Sequence, residues 1–411
     1  MKTFKTIAIM TAAIALTACS NDEPSKSDEN RTTPYRQLQL NERTRGAVDA
    51  NNNFAFDLFR QVSEKQGNFI VSPYGFFSAL SMLANGDNGD TRDAILKGLG
   101  YTDGTEGLSA LNEYCGMMNR ELPELDGRVN LSLANSIWTA AELNENFSNE
   151  LSDTFNAEWI AQNPAGESGM QAINNWVSDN TKGMIARFLK QPQHTSLSVI
   201  NAIYFNGKWT NKFSKSETKS GLFKNIDGTE AKADFMNQTA DFLGYFYDNI
   251  EAVELTYGSG NYSMLLIKPT EGKTFDEMRN SIDQDYLDNM MASPVYLTYN
   301  LQVSVPKFKI YTDLDLAGAI GKMGFEDIFT REFNSILKNN SHLNVSSLLQ
   351  AVTIDVNEEG TEAASATQAG MTTAPAIFPH APVVFNSPFI YMIRERSTNT
   401  VFFIGQVVIY H

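Results

Sequence analysis

Asn357–Thr367 reads NEEGTEAASAT, and the small residues continue through Gln368, Ala369, Gly370, Met371, Thr372 and Thr373. Nothing in this run is large enough to anchor a core, so composition alone allows a surface linker. In a strand, however, successive side chains alternate between faces. Thr361, Ala363, Ser365, Thr367 and Ala369 then share one face, while Glu362, Ala364, Ala366 and Gln368 share the other. The first set is small and uncharged and fits inside a packed sheet. A slip of one residue would bury Glu362, so the register is specified. Gly360 supplies a pivot where the chain must swing. A plain linker has no need to keep charge off one face. The stretch reads as a strand kept out of its sheet until something cuts it.

Its surroundings are those of a sheet. Thr353–Val356 (TIDV) is a strand run leading straight into it, and FNSPFIYMI (Phe385–Ile393) and VFFIGQVVIY (Val401–Tyr410) close the chain. Earlier strand patterns cover Leu131–Trp138, Leu197–Phe205, Ala252–Leu255, Ser263–Ile267 and Val295–Val305. The first third is helical in pattern. Phe54, Phe56, Leu58, Phe59 and Val62 recur at helical spacing within Asn52–Glu64, and Ser72-Pro73 opens a second helix with proline in its first turn. Helices early and strands late, without βαβ spacing, predict a mixed α+β fold with large sheets.

The chain has 411 residues, and from about Ala47 onward it shows no long linker, charge block or repeat, which favours one large domain. Hydrophobic content of 42% fits a packed core. The formal charge of −16 disfavours nucleic acid and anionic membrane surfaces as partners, and no basic cluster offsets it. At the N-terminus, Lys2 and Lys5 precede an apolar run from Ile7 to about Ala18, too short to span a bilayer as a mature helix. The run ends in Leu16-Thr17-Ala18-Cys19, which resembles a bacterial lipobox; that resemblance implies removal of residues 1–18 and lipidation of Cys19. The polar stretch that follows reads as a tether over residues 19–46, ahead of a domain over 47–411. Cys115 is then the only other cysteine, so stability must come from packing rather than an internal disulfide.

Catalytic machinery is hard to find. None of the four histidines (His194, His342, His380, His411) lies at metal-ligand spacing from another His or Cys. There is no GxSxG elbow, phosphate loop or GxGxxG, and the surroundings of Cys115 suit a buried structural cysteine better than a nucleophile. No cofactor, no metal and no enzyme activity are expected.

The chain resembles the serpin family. Glu358, Glu359, Gly360, Thr361, Glu362, Ala363, Ala364, Ser365, Ala366 and Thr367 match the family's hinge, and FNSPF matches its downstream signature. NFIVSPYGFFSALSML (Asn68–Leu83) carries the family's Ser-Pro helix start at Ser72 and Pro73, and INAIYFNGKWTNKF (Ile200–Phe213) its central strand, with Asn201 and Trp209. Val253–Pro269 and Val305–Phe325 fit in order as well. The resemblance implies three β-sheets, about eight or nine helices and an exposed reactive-centre loop over about 358–383. It also implies a monomer that traps serine proteases as a suicide substrate. The protease serine attacks the loop, and the freed segment inserts into the main sheet as a new strand, dragging the acyl-enzyme with it. The alternative within the family is a non-inhibitory member acting as a protease substrate or binding module.

Family spacing from Glu358 places the cut after Ala374, whereas counting back from Pro388 gives Ile377, so the loop reads about three residues longer than usual. A small residue after Pro375 suits a shallow elastase-like pocket. Ala376–Ile377 is therefore the expected reactive bond, with Thr373 and Ala374 as the other candidates. No Arg or Lys lies between Glu358 and Arg394, which disfavours trypsin-like targets. Two positions depart from the family in the region it terms the shutter. Gln350 stands where many members have histidine, and Gly75 where serine is common. The lipobox adds an expected location: lipid-anchored in a bacterial cell envelope, at the outer membrane or cell surface.

Overall fold

The computed structural model describes residues 34–63, 67–102, 104–312, 317–338, 343–361 and 381–411. Among them the helices are α1 (Glu42–Ser63), α2 (Pro73–Ala84), α3 (Asp90–Gly98), α4 (Gly104–Glu121), α5 (Glu145–Asp153), α6 (Gly166–Asn180), α7 (Phe275–Ser281), α8 (Gln284–Ala292), α9 (Ala317–Ile320) and α10 (Asp327–Thr330). The strands are β1 (Phe69–Val71), β2 (Val129–Trp138), β3 (Glu158–Ile160), β4 (Ser198–Lys208), β5 (Lys219–Lys224), β6 (Glu230–Tyr245), β7 (Ile250–Tyr257), β8 (Tyr262–Pro269), β9 (Leu297–Pro306), β10 (Phe308–Thr312), β11 (Ser347–Asn357), β12 (Gly360–Thr361), β13 (Val383–Val384), β14 (Phe389–Glu395) and β15 (Val401–Val407). The mixed α+β expectation holds.

The strands form two hydrogen-bonded sheets. One runs β10-β11-β12-β4-β2-β3, and the other β1-β15-β14-β8-β7-β6-β9-β13 with β5 beside β6. The second narrows at β6, of which only Leu243–Tyr245 pair with β7, while Phe235–Gly244 pair with β9 and Glu230–Phe235 with β5. Counted on either side of that narrow join, the strands make the expected three sheets.

Helix α2 occupies the centre. Ser72 caps it, accepting the Gly75 amide at 3.2 Å, and Pro73 fills the first position, where a missing N–H costs nothing. All its residues from Pro73 to Ala84 are buried, and it packs against both β4 and β15. A second apolar cluster lies over β2, β4 and β11. In it Ile173, Trp176 and Val177 of α6, with Ile185, Phe188 and Leu189, cover Trp138, Ile200, Ala202, Leu349 and Ala351.

The N-terminal boundary is a correction. Helix α1 starts at Glu42, well before the apolar periodicity that marks it from Asn52. Asn41 caps it, its Oδ1 accepting the Thr44 amide at 3.0 Å. Residues 34–41 are bound to the domain, with Leu38 buried. Residues 34–46 of the stretch read as a tether over 19–46 thus belong to the domain, and 19–33 lie outside the described residues. Backbone groups of the polar segment find side-chain partners (Asn261, Ser397), a pairing that composition does not reveal.

Candidate functional site

The site lies where β4 and β11 meet. These parallel strands pair directly from Ser198↔Ser347 to Ile203↔Val352. Above that point β12 sits between them. Thr361 and Gly360 pair with Val356 and Asn357 of β11 on one side, and with Gly207 and Lys208 of β4 on the other. Between these two regions, 353–355 and 204–206 have no strand between them among the described residues. The first residues of the hinge are thus already seated in a slot that is otherwise closed below.

Close contacts fix the seated pair. Gly360 has φ +148°, and a Cβ there would lie 2.1 Å from the Gly207 carbonyl oxygen, so glycine is required by proximity as well as by conformation. Thr361 is fully buried, its hydroxyl 2.7 Å from the Tyr257 hydroxyl. Burial pushes the Tyr257 phenol far up, so it acts as a neutral hydrogen-bonding group. Trp209 stacks on Tyr257 with ring centroids 4.3 Å apart. Its indole Nε1 donates to the Asn357 carbonyl at 2.9 Å and its amide to the Glu359 carbonyl at 3.0 Å. Trp209 therefore sits beneath the β11–β12 turn and fixes its direction.

The hinge acids are clamped by cations. Burial alone would push the Glu358 carboxyl up, but the Thr218 hydroxyl at 2.8 Å and Lys307 at 3.1 Å hold it below its usual range. Glu359 is held low by Lys212 at 2.9 Å and Lys215 at 3.7 Å. The cations come from the end of β9 and from the lysine-rich segment after β4.

Lower in the slot a buried amide network crosses from β11 to β2. Gln350 makes a two-point contact with the backbone of Ser72. Its Oε1 accepts the Ser72 amide at 2.8 Å, and its Nε2 donates to the Ser72 carbonyl at 2.9 Å. The same Nε2 donates to Asn201 Oδ1 at 3.0 Å. Asn201 Nδ2 donates to Asn135 Oδ1 at 2.8 Å, and Asn135 Nδ2 donates to Ser78 Oγ at 3.2 Å. The Ser72 hydroxyl donates to the Phe402 carbonyl at 2.7 Å. Both departures noted in the sequence belong to this network. A Cβ at position 75 would lie 2.2 Å from Asn201 Oδ1, so Gly75 makes room for the asparagine that Gln350 contacts.

Ser72, Pro73, Asn201, Trp209 and Gln350 are thus brought together with Glu358–Thr361 along one strand seam. Hinge residues Glu362–Thr367 and the candidate bond residues Thr373, Ala374, Ala376 and Ile377 lie outside the described residues, as does Cys19. Sequence reading missed Tyr257, Thr218, Lys212, Lys215, Lys307, Asn135 and Ser78. A signal existed for the lysines: Lys208, Lys212, Lys215 and Lys219 gather in a chain of net charge −16. Cys115 is buried, and burial pushes its thiol up to about 12, which suits a structural residue. The seam holds one short strand, β12, between β11 and β4 above their direct pairing.

A slot of this form, with a hinge seated at its mouth, belongs to a known class. The family description "Serpin (serine protease inhibitor)" matches residues 49–409, and the chain is a member of the serpin family, whose members are generally protease inhibitors rather than enzymes. Among its relatives, Iripin-2 of Ixodes ricinus is 30% identical over 370 residues, covering 87% of this chain and 92% of the tick protein. Leukocyte elastase inhibitor A of Rattus norvegicus is 29% identical, covering 87% and 98%. In structure, the thermophilic serpin tengpin in its native state superposes with a TM-score of 0.77 at 25% identity, covering 93% of this chain and 98% of that one.

Proposed function

We propose that this serpin is a suicide-substrate inhibitor of serine proteases with elastase-like specificity, cut at Ala376–Ile377. The observation that carries the reading is the seating of Gly360 and Thr361 between β11 and β4, directly above a seam that a longer strand can open. Cleavage beyond the hinge frees a segment whose inward-facing residues (Thr361, Ala363, Ser365, Thr367, Ala369) are small enough to follow Thr361 into the seam. An acyl-enzyme attached to that segment travels with it before water can release it. Similarity to leukocyte elastase inhibitors and the small residues around Ala376 support the choice of target. Mixing the protein with neutrophil or pancreatic elastase and running denaturing gels tests this. A band at the summed mass is expected. Cleavage without such a band would mark a non-inhibitory substrate, and hydrolysis in the absence of any protease would sink both readings.

The proposal includes a location: a lipid anchor at Cys19 on a bacterial envelope membrane, from which the inhibitor shields envelope proteins. The lipobox-like Leu16-Thr17-Ala18-Cys19 supports it. Cys19→Ala should abolish lipid labelling and release the protein from the membrane fraction. An unlabelled, soluble wild type would refute the anchor and leave the inhibitor intact.

A further inference from the structure

We infer that Arg36 and Asn261 are positioning residues for strand insertion, forming a strap that ties the sheet that must open to the sheet behind it. The inference rests on the sheet-opening step of the inhibitor reading and adds a control on its rate.

The strap is residues 34–41. Its anchor is Asn261, fully buried, whose side chain pairs with both backbone groups of Arg36: Oδ1 accepts the amide and Nδ2 donates to the carbonyl. Further along, the Leu38 amide donates to Ser397 Oγ at 2.9 Å, in the β14–β15 turn. The Arg36 guanidinium reaches the other way, to Glu121 Oε2 at 2.8 Å and the Glu121 carbonyl at 3.2 Å, at the last residue of α4.

Those contacts join parts that separate when the seam opens. Strand β2 is paired with β4 along its whole length, from Val129↔Gly207 to Trp138↔Ser198, so it travels with β4 away from β11. The end of α4 connects to β2 through 122–128, so it is drawn along. The β14–β15 turn belongs to the other sheet and has no reason to follow. Arg36 holds the end of α4 and, through Asn261, the β7–β8 turn, while Leu38 two residues on holds the β14–β15 turn, so the strap bridges the two. Asn261 also ends the β7–β8 turn that builds the mouth of the slot. In that turn Gly258 donates to the Lys208 carbonyl at 2.8 Å and Ser259 donates to Asp126 Oδ2 at 2.7 Å; Tyr257, just before it, holds Thr361. The strap therefore braces the turn that receives the first inserting residue, and it lengthens the list of bonds that opening must break.

The test uses the full chain and a labelled synthetic peptide of sequence TEAASATQAGMTTA (residues 361–374), whose uptake into the seam is followed on native gels. Arg36→Ala and Glu121→Ala should each take up peptide about two- to five-fold faster than wild type, the range an ion pair of this exposure can supply. The charge-swapped pair Arg36→Glu with Glu121→Arg should return the rate toward wild type. Arg60→Ala, which breaks a comparable exposed pair with Asp57, should leave it unchanged. Melting temperature read in parallel separates a general loss of stability, which Arg60→Ala would share, from a specific effect on insertion. Unchanged uptake in Arg36→Ala, failure of the swap to restore the rate, or no uptake by the wild type would overturn the inference. A wild type that takes up peptide with this pattern yet fails to trap elastase would sink the inhibitor reading and leave the strap standing.

Discussion

Thr361→Arg isolates the first step of insertion. The native side chain is fully buried, on a residue paired through β12 to Gly207 and Val356, and among the described residues it meets the Tyr257 hydroxyl at hydrogen-bonding distance. Among the described residues the hinge carboxylates are committed, Glu358 to Lys307 and Glu359 to Lys212, and strand alternation puts Glu362 on the opposite face. A guanidinium at this position would enter the sheet without a counter-charge, at an effective cost of several kcal/mol after relaxation. Taking only about 3 kcal/mol of that, insertion slows roughly a hundred-fold. Before cleavage the arginine can turn outward at the loss of the short β12 pairing, so the fold and the cut are retained. Titration against elastase on denaturing gels reads the partition between trapped and merely cleaved inhibitor. The variant should be cleaved almost entirely, whereas Thr361→Ser, which keeps the hydroxyl facing Tyr257, should trap as wild type does. Undiminished complex formation by Thr361→Arg would refute the assigned register.

Cleavage anywhere within Met371–Phe378 should raise the melting temperature sharply, because the freed strand completes the seam; calorimetry of cut and intact protein reads this directly, and identical melting would remove the driving force. The hinge clamp should weaken in acid. Glu358 and Glu359 both titrate below their ordinary value of 4.5, so their ion pairs stabilise the β11–β12 turn fully above that pH and lose this contribution as pH falls through the lower folded values. Peptide uptake should accelerate across that acid range, and Glu359→Gln should show part of the acceleration already at neutral pH.

The inward face of Thr361 was legible in the sequence because its constraint is local. Alternation of small residues with Glu362 is a one-dimensional pattern, and the register it implies for Thr361 is the one the buried residue occupies. Helix α2 was legible for the same reason, through Ser72 and Pro73. The clamp was not, because Lys307 and Glu358 are brought together by the paths of β9 and β11, and no spacing rule connects them. Tyr257 lay just past the Ala252–Leu255 strand pattern, and its partner Thr361 is more than a hundred positions away and fixed by sheet register. The start of α1 was missed because Glu42–Asn51 is polar on most faces and its burial depends on packing against α4 and α8. Gln350 and Gly75 read as separate departures and proved to be adjacent to one side chain, Asn201.

That adjacency suggests how the seam can be long-lived when intact and quick once cut. In the proposed reaction each direct pair between β11 and β4 is replaced by two, one on either side of the new strand, so opening proceeds as an exchange rather than as loss of the whole ladder. The net gain is one ladder at about 0.5–1.5 kcal/mol per hydrogen bond. The side-chain network is divided to match. Gln350 keeps two bonds to Ser72, and Asn201 keeps its bond to Asn135, while the single bond from Gln350 Nε2 to Asn201 Oδ1 crosses the gap. Adjacent strands lie about 4.8 Å apart, so a strand placed between β11 and β4 doubles their separation and must break that bond. A double-mutant cycle over Gln350→Met and Asn201→Ala should therefore show a coupling of about 0.5–1.5 kcal/mol in denaturant unfolding of the intact protein and none in the cleaved form. Equal coupling in both forms would mean that the strands do not part at Gln350, and that the freed segment goes somewhere other than this seam.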